Sequence, residues 1–160
     1  MKKGFTLIEA IVAIVLVVIL ALVSGIFIRE VFHASVSLRG QRSIALSNRT
    51  AMSRVVRELK RCKKNTNILT FTAKQISFLD INNNTVTFSQ SGSNLLRGSA
   101  ILLQNLQNPC GLTFTYLDKN GNQTATKANI RIVRCRLTVV KDENRFVTES
   151  AARIRVRRVN

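Results

Sequence analysis

The chain has 160 residues, enough for one domain plus a long helix, and its 25 Lys and Arg against 8 Asp and Glu give a formal charge of +17. A surface of that sign attracts polyanions or anionic lipid. With one histidine, one tyrosine and no tryptophan, the chain carries no Ser/His/Asp, Cys/His or Walker-type constellation and no aromatics interleaved with its cations. Composition thus argues against an enzyme and against a base-stacking nucleic-acid surface, and no cofactor or metal is expected.

The N-terminus reads as a short basic leader, Lys2 and Lys3, followed by Gly4, Phe5, Thr6, Leu7, Ile8 and Glu9 and then an uncharged apolar run of nineteen residues from Ala10 to Ile28. At about 1.5 Å per residue the run matches the roughly 30 Å hydrocarbon core of a bilayer, which predicts one transmembrane helix. A secretory signal would place a small-residue cleavage site after the run. Here Ser24 and Gly25 are followed by Ile26, Phe27 and Ile28 without a break, so the segment is expected to stay in the mature protein. Lys2 and Lys3 hold the N-terminus on the cytoplasmic side; Arg29 opposes this, yet long C-terminal domains translocate largely regardless of charge. Glu9 is the anomaly. A carboxylate at the start of a membrane helix is either functional or sits at headgroup level near the positive end of the helix dipole.

Residues Lys3 to Glu9 closely resemble the processing motif of type IV prepilins and of the pseudopilins of type II secretion. The resemblance implies cleavage by a prepilin peptidase between Gly4 and Phe5, N-methylation of Phe5, and a role for Glu9 in assembly. After cleavage, the Phe5 amine and Glu9 would lie one helical turn apart on the same face. Pairing the glutamate of one subunit with the amine of its neighbour would relieve two charges that are each costly in lipid. The family's fold is a long helix packed against an antiparallel sheet, and its members work as non-catalytic filament subunits.

Past Arg29 the helix is expected to continue. Val31, Leu38, Ala45, Met52 and Leu59 recur every seven residues, with Ala34, Val55, Val56 and Cys62 beside them, giving one apolar stripe on a rod that carries Arg29, Arg39, Arg42, Arg49, Arg54, Arg57 and Arg61. Such a stripe is a coiled-coil seam or the face covered by a sheet. Cations at Arg61, Lys63 and Lys64 and the polar Asn65, Thr66 and Asn67 predict the helix end near Lys64. His33, on the rod, has no second histidine or nearby cysteine to join it and reads as a packed or interfacial side chain.

From Asn67 onward the pattern changes to short strands: Ile68 to Phe71, Gln75 to Asp80 and Thr85 to Ser89, with Asn82, Asn83 and Asn84 as a hairpin turn. Ser91 to Asn94 is a break, Leu95 to Arg97 a short strand, and Ser99 to Asn108 a loop or helical turn. Leu112, Phe114 and Tyr116 alternate, Lys119 to Asn122 turns, and Ile130 to Val140 forms a longer strand. In the last strand Phe146, Thr148, Ser150, Ala152, Ile154 and Val156 face one way and Arg145, Glu149, Arg153, Arg155 and Arg157 the other. Asp118, Asn120 and Asn122 have the spacing of calcium ligands. Gly121 comes too early and no glutamate follows at the right distance, so a hairpin turn is the better account.

The expected architecture is α+β: leader 1–4, transmembrane and filament-core helix 5–28, amphipathic continuation 29–64, and an antiparallel β domain 65–160. Leu112 to Gly121, Arg136 to Val140, Arg155 to Asn160 and the arginine-rich stretch Met52 to Arg61 are similar to J-type minor pseudopilins and W-type minor pilins. That likeness implies a minor subunit in the inner membrane, with the C-terminal domain outside the cytoplasm and then in a pilus or pseudopilus. Its partners would be the peptidase, other major and minor pilins or pseudopilins, and inner-membrane lipid. Nucleic acid is a less favoured partner, through Arg153, Arg155 and Arg157 as a phosphate-binding face, the alternative being a DNA-binding competence pilin. Cys62, Cys110 and Cys135 permit three single bridges. If Leu112 to Leu117 pairs with Ile130 to Val140, Cys110 and Cys135 come near each other; the other reading keeps all three as reduced, packed thiols.

Overall fold

The computed structural model describes residues 7–141 and 144–154. One helix, α1 (Leu7–Leu59), is followed by a 3-10 turn (Asn65–Asn67) and eight strands: β1 (Ile68–Phe71), β2 (Gln75–Leu79), β3 (Thr85–Ser91), β4 (Asn94–Arg97), β5 (Ala100–Leu103), β6 (Leu112–Leu117), β7 (Ile132–Lys141) and β8 (Asn144–Arg153). The chain divides between Ser43 and Ile44 into two compact units. In the first, the stretch Leu7–Phe32 of α1 is largely apolar and exposed. The second holds the hydrophobic core.

Within the second unit α1 shows the periodicity of a helix with one covered face. Ala51, Met52, Val55 and Leu59 are buried, Ile44 and Val56 pack partly against them, and Ser53, Arg54 and Arg57 stay outside. Strands present alternate residues to the same core: Ile76 and Phe78 from β2, Val86 and Phe88 from β3, Leu112, Phe114 and Tyr116 from β6, Val133, Cys135, Leu137 and Val139 from β7. Phe78 and Phe88 have no accessible surface, so each contributes up to about 3 kcal/mol of burial.

The α+β architecture is as expected, with the antiparallel β structure divided into a five-stranded sheet in the order β1-β2-β3-β4-β5 and a three-stranded sheet β6-β7-β8. Two expectations are corrected. The helix ends at Leu59 rather than near Lys64: the Arg61 and Cys62 N–H groups bond three residues back to the Glu58 and Leu59 carbonyls, at 3.0 and 3.1 Å, tightening the last turn. Ser99 to Asn108 contains a strand, β5, because Arg97 pairs with Ala100 across a two-residue loop whose first residue, Gly98, has φ +61°. A glycine there suits the primed turns that match strand twist. Ser91 and Asn94 close the preceding hairpin the same way, with Gly92 at φ +56°.

Candidate functional site

From Leu7 to Phe32, α1 forms a 26-residue apolar stretch whose most hydrophobic window has a mean hydropathy of 3.3 and is entirely unburied. It is long and apolar enough to cross a membrane. An α-helix satisfies its backbone groups internally, so what this segment offers its surroundings is side-chain surface alone, with Leu22 and Phe27 each about two-thirds exposed at 66 and 68%. Apolar surface on this scale marks a segment that meets lipid or another apolar partner. Glu9 lies in the first turn and is exposed, where the positive end of the helix dipole favours a carboxylate. Gly4 and Phe5 lie outside the described residues.

At the other end of α1, polar contacts absent from the sequence reading join the helix to the five-stranded sheet. Glu58 is buried. Arg97 Nε of β4 donates to Glu58 Oε1 and Oε2 at 2.9 and 2.7 Å, and Arg54 Nε donates to Glu58 Oε1 at 3.2 Å. Arg61 Nη2 reaches Asp80 Oδ2 at 3.3 Å, and Asp80 Oδ1 accepts from the Asn82 and Asn84 N–H groups at 2.7 and 3.0 Å. The Asn84 N–H above all, helped by Asn82 and the charges of Arg61 and Lys63, holds the Asp80 carboxyl below the usual carboxylate range against the opposing effect of burial. The Arg54 and Glu58 spacing of four was visible in the sequence. The partnership with Arg97, 39 residues away, carried no local signal.

Asp118 repeats the Asp80 turn. Its Oδ1 accepts from the Asn120 and Asn122 N–H groups at 2.8 and 2.9 Å, with Gly121 at φ +87°. The carboxylate is thereby engaged with its own turn, as the hairpin reading expects. Among the described residues no cluster of three or more His, Cys, Asp or Glu is placed to hold a metal ion.

The three cysteines are free thiols, so the expected Cys110 to Cys135 bridge is corrected. Register explains why. Leu112 pairs with Leu137 and Phe114 with Cys135, so Cys110 falls beyond the strand start and opposite the chain about four residues from Cys135. At about 3.3 Å per residue that separation exceeds the roughly 7 Å Cα limit for a disulfide. Cys110 is exposed; Cys62 and Cys135 are buried. Burial pushes both thiols up, Cys135 to about 12.

Arg153 stands on the outer face of the three-stranded sheet. Cross-strand pairing of Ile132 with Arg153, Arg134 with Ala151, Arg136 with Glu149 and Val140 with Arg145 puts four arginines on that face. Glu149 is shared by two of them, with Oε2 at 2.7 Å from Arg136 Nη2 and Oε1 at 3.5 Å from Arg134 Nε. Arg155 and Arg157 lie outside the described residues, so the expected trio is seen only at Arg153. Arg134 and Arg136 are its neighbours on the sheet, brought there by register.

Residues 1–25 match the family model for the prokaryotic N-terminal methylation motif. Neither the search of curated proteins nor that of solved structures returns a match. The motif is the signature of type IV pilins and pseudopilins. A long apolar N-terminal helix followed by antiparallel β structure is the α+β arrangement of the pilin fold.

Proposed function

We propose that this chain is a minor pilin or pseudopilin, a non-catalytic subunit that is cut between Gly4 and Phe5, N-methylated on Phe5 and built into a type II secretion pseudopilus or type IV pilus at its initiation or tip. The observation that carries the reading is the unburied apolar stretch Leu7–Phe32, most of which lies within the methylation motif at residues 1–25. One segment then does two jobs. As a single-pass helix it anchors the subunit in the inner membrane with its N-terminus cytoplasmic and its C-terminal domain outside; in the filament, like segments of other subunits replace the lipid. Glu9 neutralises the Phe5 amine of a neighbour, which makes leaving the bilayer less costly.

The proposed divisions follow: leader 1–4, membrane and filament-core segment 5–28, a helical continuation from 29 that ends at Leu59, and β domain 65–160. Co-expression with a prepilin peptidase tests the reading. The mature protein should start at Phe5 and carry one added methyl group, and Gly4→Val should block both changes. An unchanged N-terminus beside an active peptidase would refute it.

A second reading, a DNA-binding competence pilin, draws support from the arginine-rich outer face of β7 and β8, where Arg153 stands with Arg134 and Arg136. Arg155 and Arg157, outside the described residues, add two more cations directly after it in sequence. Phosphate binding of this kind weakens steeply with salt.

A further inference from the structure

Strand β6 is an edge of the three-stranded sheet, and successive residues of an edge strand turn their backbone groups alternately toward the neighbour and away. Leu112, Phe114 and Tyr116 turn away from β7. The Leu112 N–H donates to Gln90 Oε1 at 2.8 Å, the Phe114 N–H donates to the Ala73 carbonyl at 2.8 Å, and the Thr124 N–H donates to the Tyr116 carbonyl at 3.0 Å. Between these contacts the Phe114 carbonyl and the Tyr116 N–H face outward with no protein partner among the described residues. They open on a cleft of about 490 Å³ bounded by Thr72 and Ala73 on one side and Gln123 and Thr124 on the other, with Phe71 along the wall. No charged residue lines it, although the chain as a whole carries +17.

We propose that this cleft binds an extended, uncharged polypeptide segment of another protein, which adds to the edge of β6 through the Phe114 carbonyl and the Tyr116 N–H. The acceptor and the donor flank Thr115, the spacing at which one residue of a parallel strand receives both bonds, or the two neighbours of one residue in an antiparallel strand. Ala73 and Thr124 already occupy the edge on either side, so the slot admits a short stretch rather than a whole strand. The walls are fixed. Phe71 packs edge to face on Tyr116, ring centroids 5.4 Å apart, and the Tyr116 hydroxyl donates to the Thr72 carbonyl at 2.8 Å, tying the two sheets together at the cleft floor. With no countercharge in the lining, an ionised side chain entering the cleft would lose hydration without compensation, which selects small polar and apolar side chains. The proposal is independent of the processing motif and of filament assembly.

The test uses the full chain, 15N-labelled in detergent micelles, titrated with a blocked pentapeptide of alternating threonine and valine and with the same peptide N-methylated at its three central residues, which removes the bonding donor in either strand direction. The Tyr116 amide signal should move saturably, together with those of Ala73 and Thr124. N-methylation, which deprives the Phe114 carbonyl of its donor, should weaken binding by about tenfold. Ala73→Trp, a change at an exposed rim position, should abolish the saturable shift while leaving the rest of the amide spectrum in place. Equal binding of the two peptides, or shifts confined to other regions, would overturn the proposal. So would a Tyr116 shift that depends on protein concentration without peptide, since the occupant would then be a second copy of this chain.

Discussion

Arg97 Nε on β4 lies 2.9 and 2.7 Å from the two carboxylate oxygens of Glu58, one residue from the end of α1. The carboxylate is nearly withdrawn from solvent, with 11% of its side chain exposed, whereas Arg97 keeps 40%. The two partners are therefore unequal: losing the arginine strands a buried charge, while losing the glutamate releases a guanidinium that can reach water.

Arg97→Met should lower stability by about 1–3 kcal/mol, a range reduced for the exposure of Arg97 and for the contact Glu58 retains with Arg54. Glu58→Gln should cost less. A double-mutant cycle from denaturant unfolding of the full chain in micelles should give a coupling above about 0.5 kcal/mol; additive single effects would mean that the contact contributes nothing net.

Asp80 sets an acid dependence. Its folded pKa is depressed, chiefly by the Asn84 N–H, so the stability it contributes is fully present above the unfolded value of about 3.9 and is lost as pH falls through the lower folded value. Between about pH 4 and pH 2 the wild type should therefore lose more stability than Asp80→Asn, measured by unfolding at each pH. Parallel curves would exclude Asp80 as a contributor.

Thiol labelling should distinguish the cysteines. Cys110 is exposed and Cys62 and Cys135 are buried, and burial keeps the Cys135 thiol protonated up to about pH 12. Iodoacetamide at pH 8 should modify Cys110 in the folded chain and all three in denaturant. Non-reducing peptide mapping that recovered Cys110 linked to Cys135 would contradict the observed register.

Replacement of Glu9 by Ala should leave cleavage after Gly4 intact and reduce incorporation into filaments at least tenfold, scored by immunoblotting of sheared filaments against the membrane fraction. Normal incorporation would remove Glu9 from the assembly step. A single-pass anchored domain with no filament role predicts that outcome.

For the basic face, Arg134, Arg136 and Arg153 should be tested together. If the face binds nucleic acid, the triple change to Gln should flatten the dependence of log affinity on log salt by up to about three phosphate contacts, a slope change near 2.7 for duplex DNA. No gel shift of duplex DNA at low salt by the wild type would end the DNA-binding reading.

The helix, the core stripe Met52, Val55, Leu59 and most strands were legible in the sequence because each is a local repeat, of period seven or two, that needs no knowledge of partners. Strand β5 was missed although Gly98 and Ser99 announce a two-residue hairpin loop; the earlier Ser91 to Asn94 break has the same chemistry. The split into two sheets, the Glu58 and Arg97 contact and the distance between Cys110 and Cys135 depend on register and on pairings of distant residues, which side-chain periodicity does not encode. The N-terminal motif was legible for a different reason. It is read by an enzyme as a linear string, and its information does not wait for folding.

In the five-stranded sheet each strand pairs with its neighbour in sequence, from β1 to β5. Every pairing therefore closes a short loop, and the entropic cost of each closure is small. The folding chain can build this sheet one hairpin at a time, each new strand covering the open edge of the last. Among the described residues the longest connection between consecutive strands, Leu117 to Ile132, falls after that sheet is complete. Order in the chain and order of pairing thus coincide, and at each stage the edges left open are β1 and the strand added last.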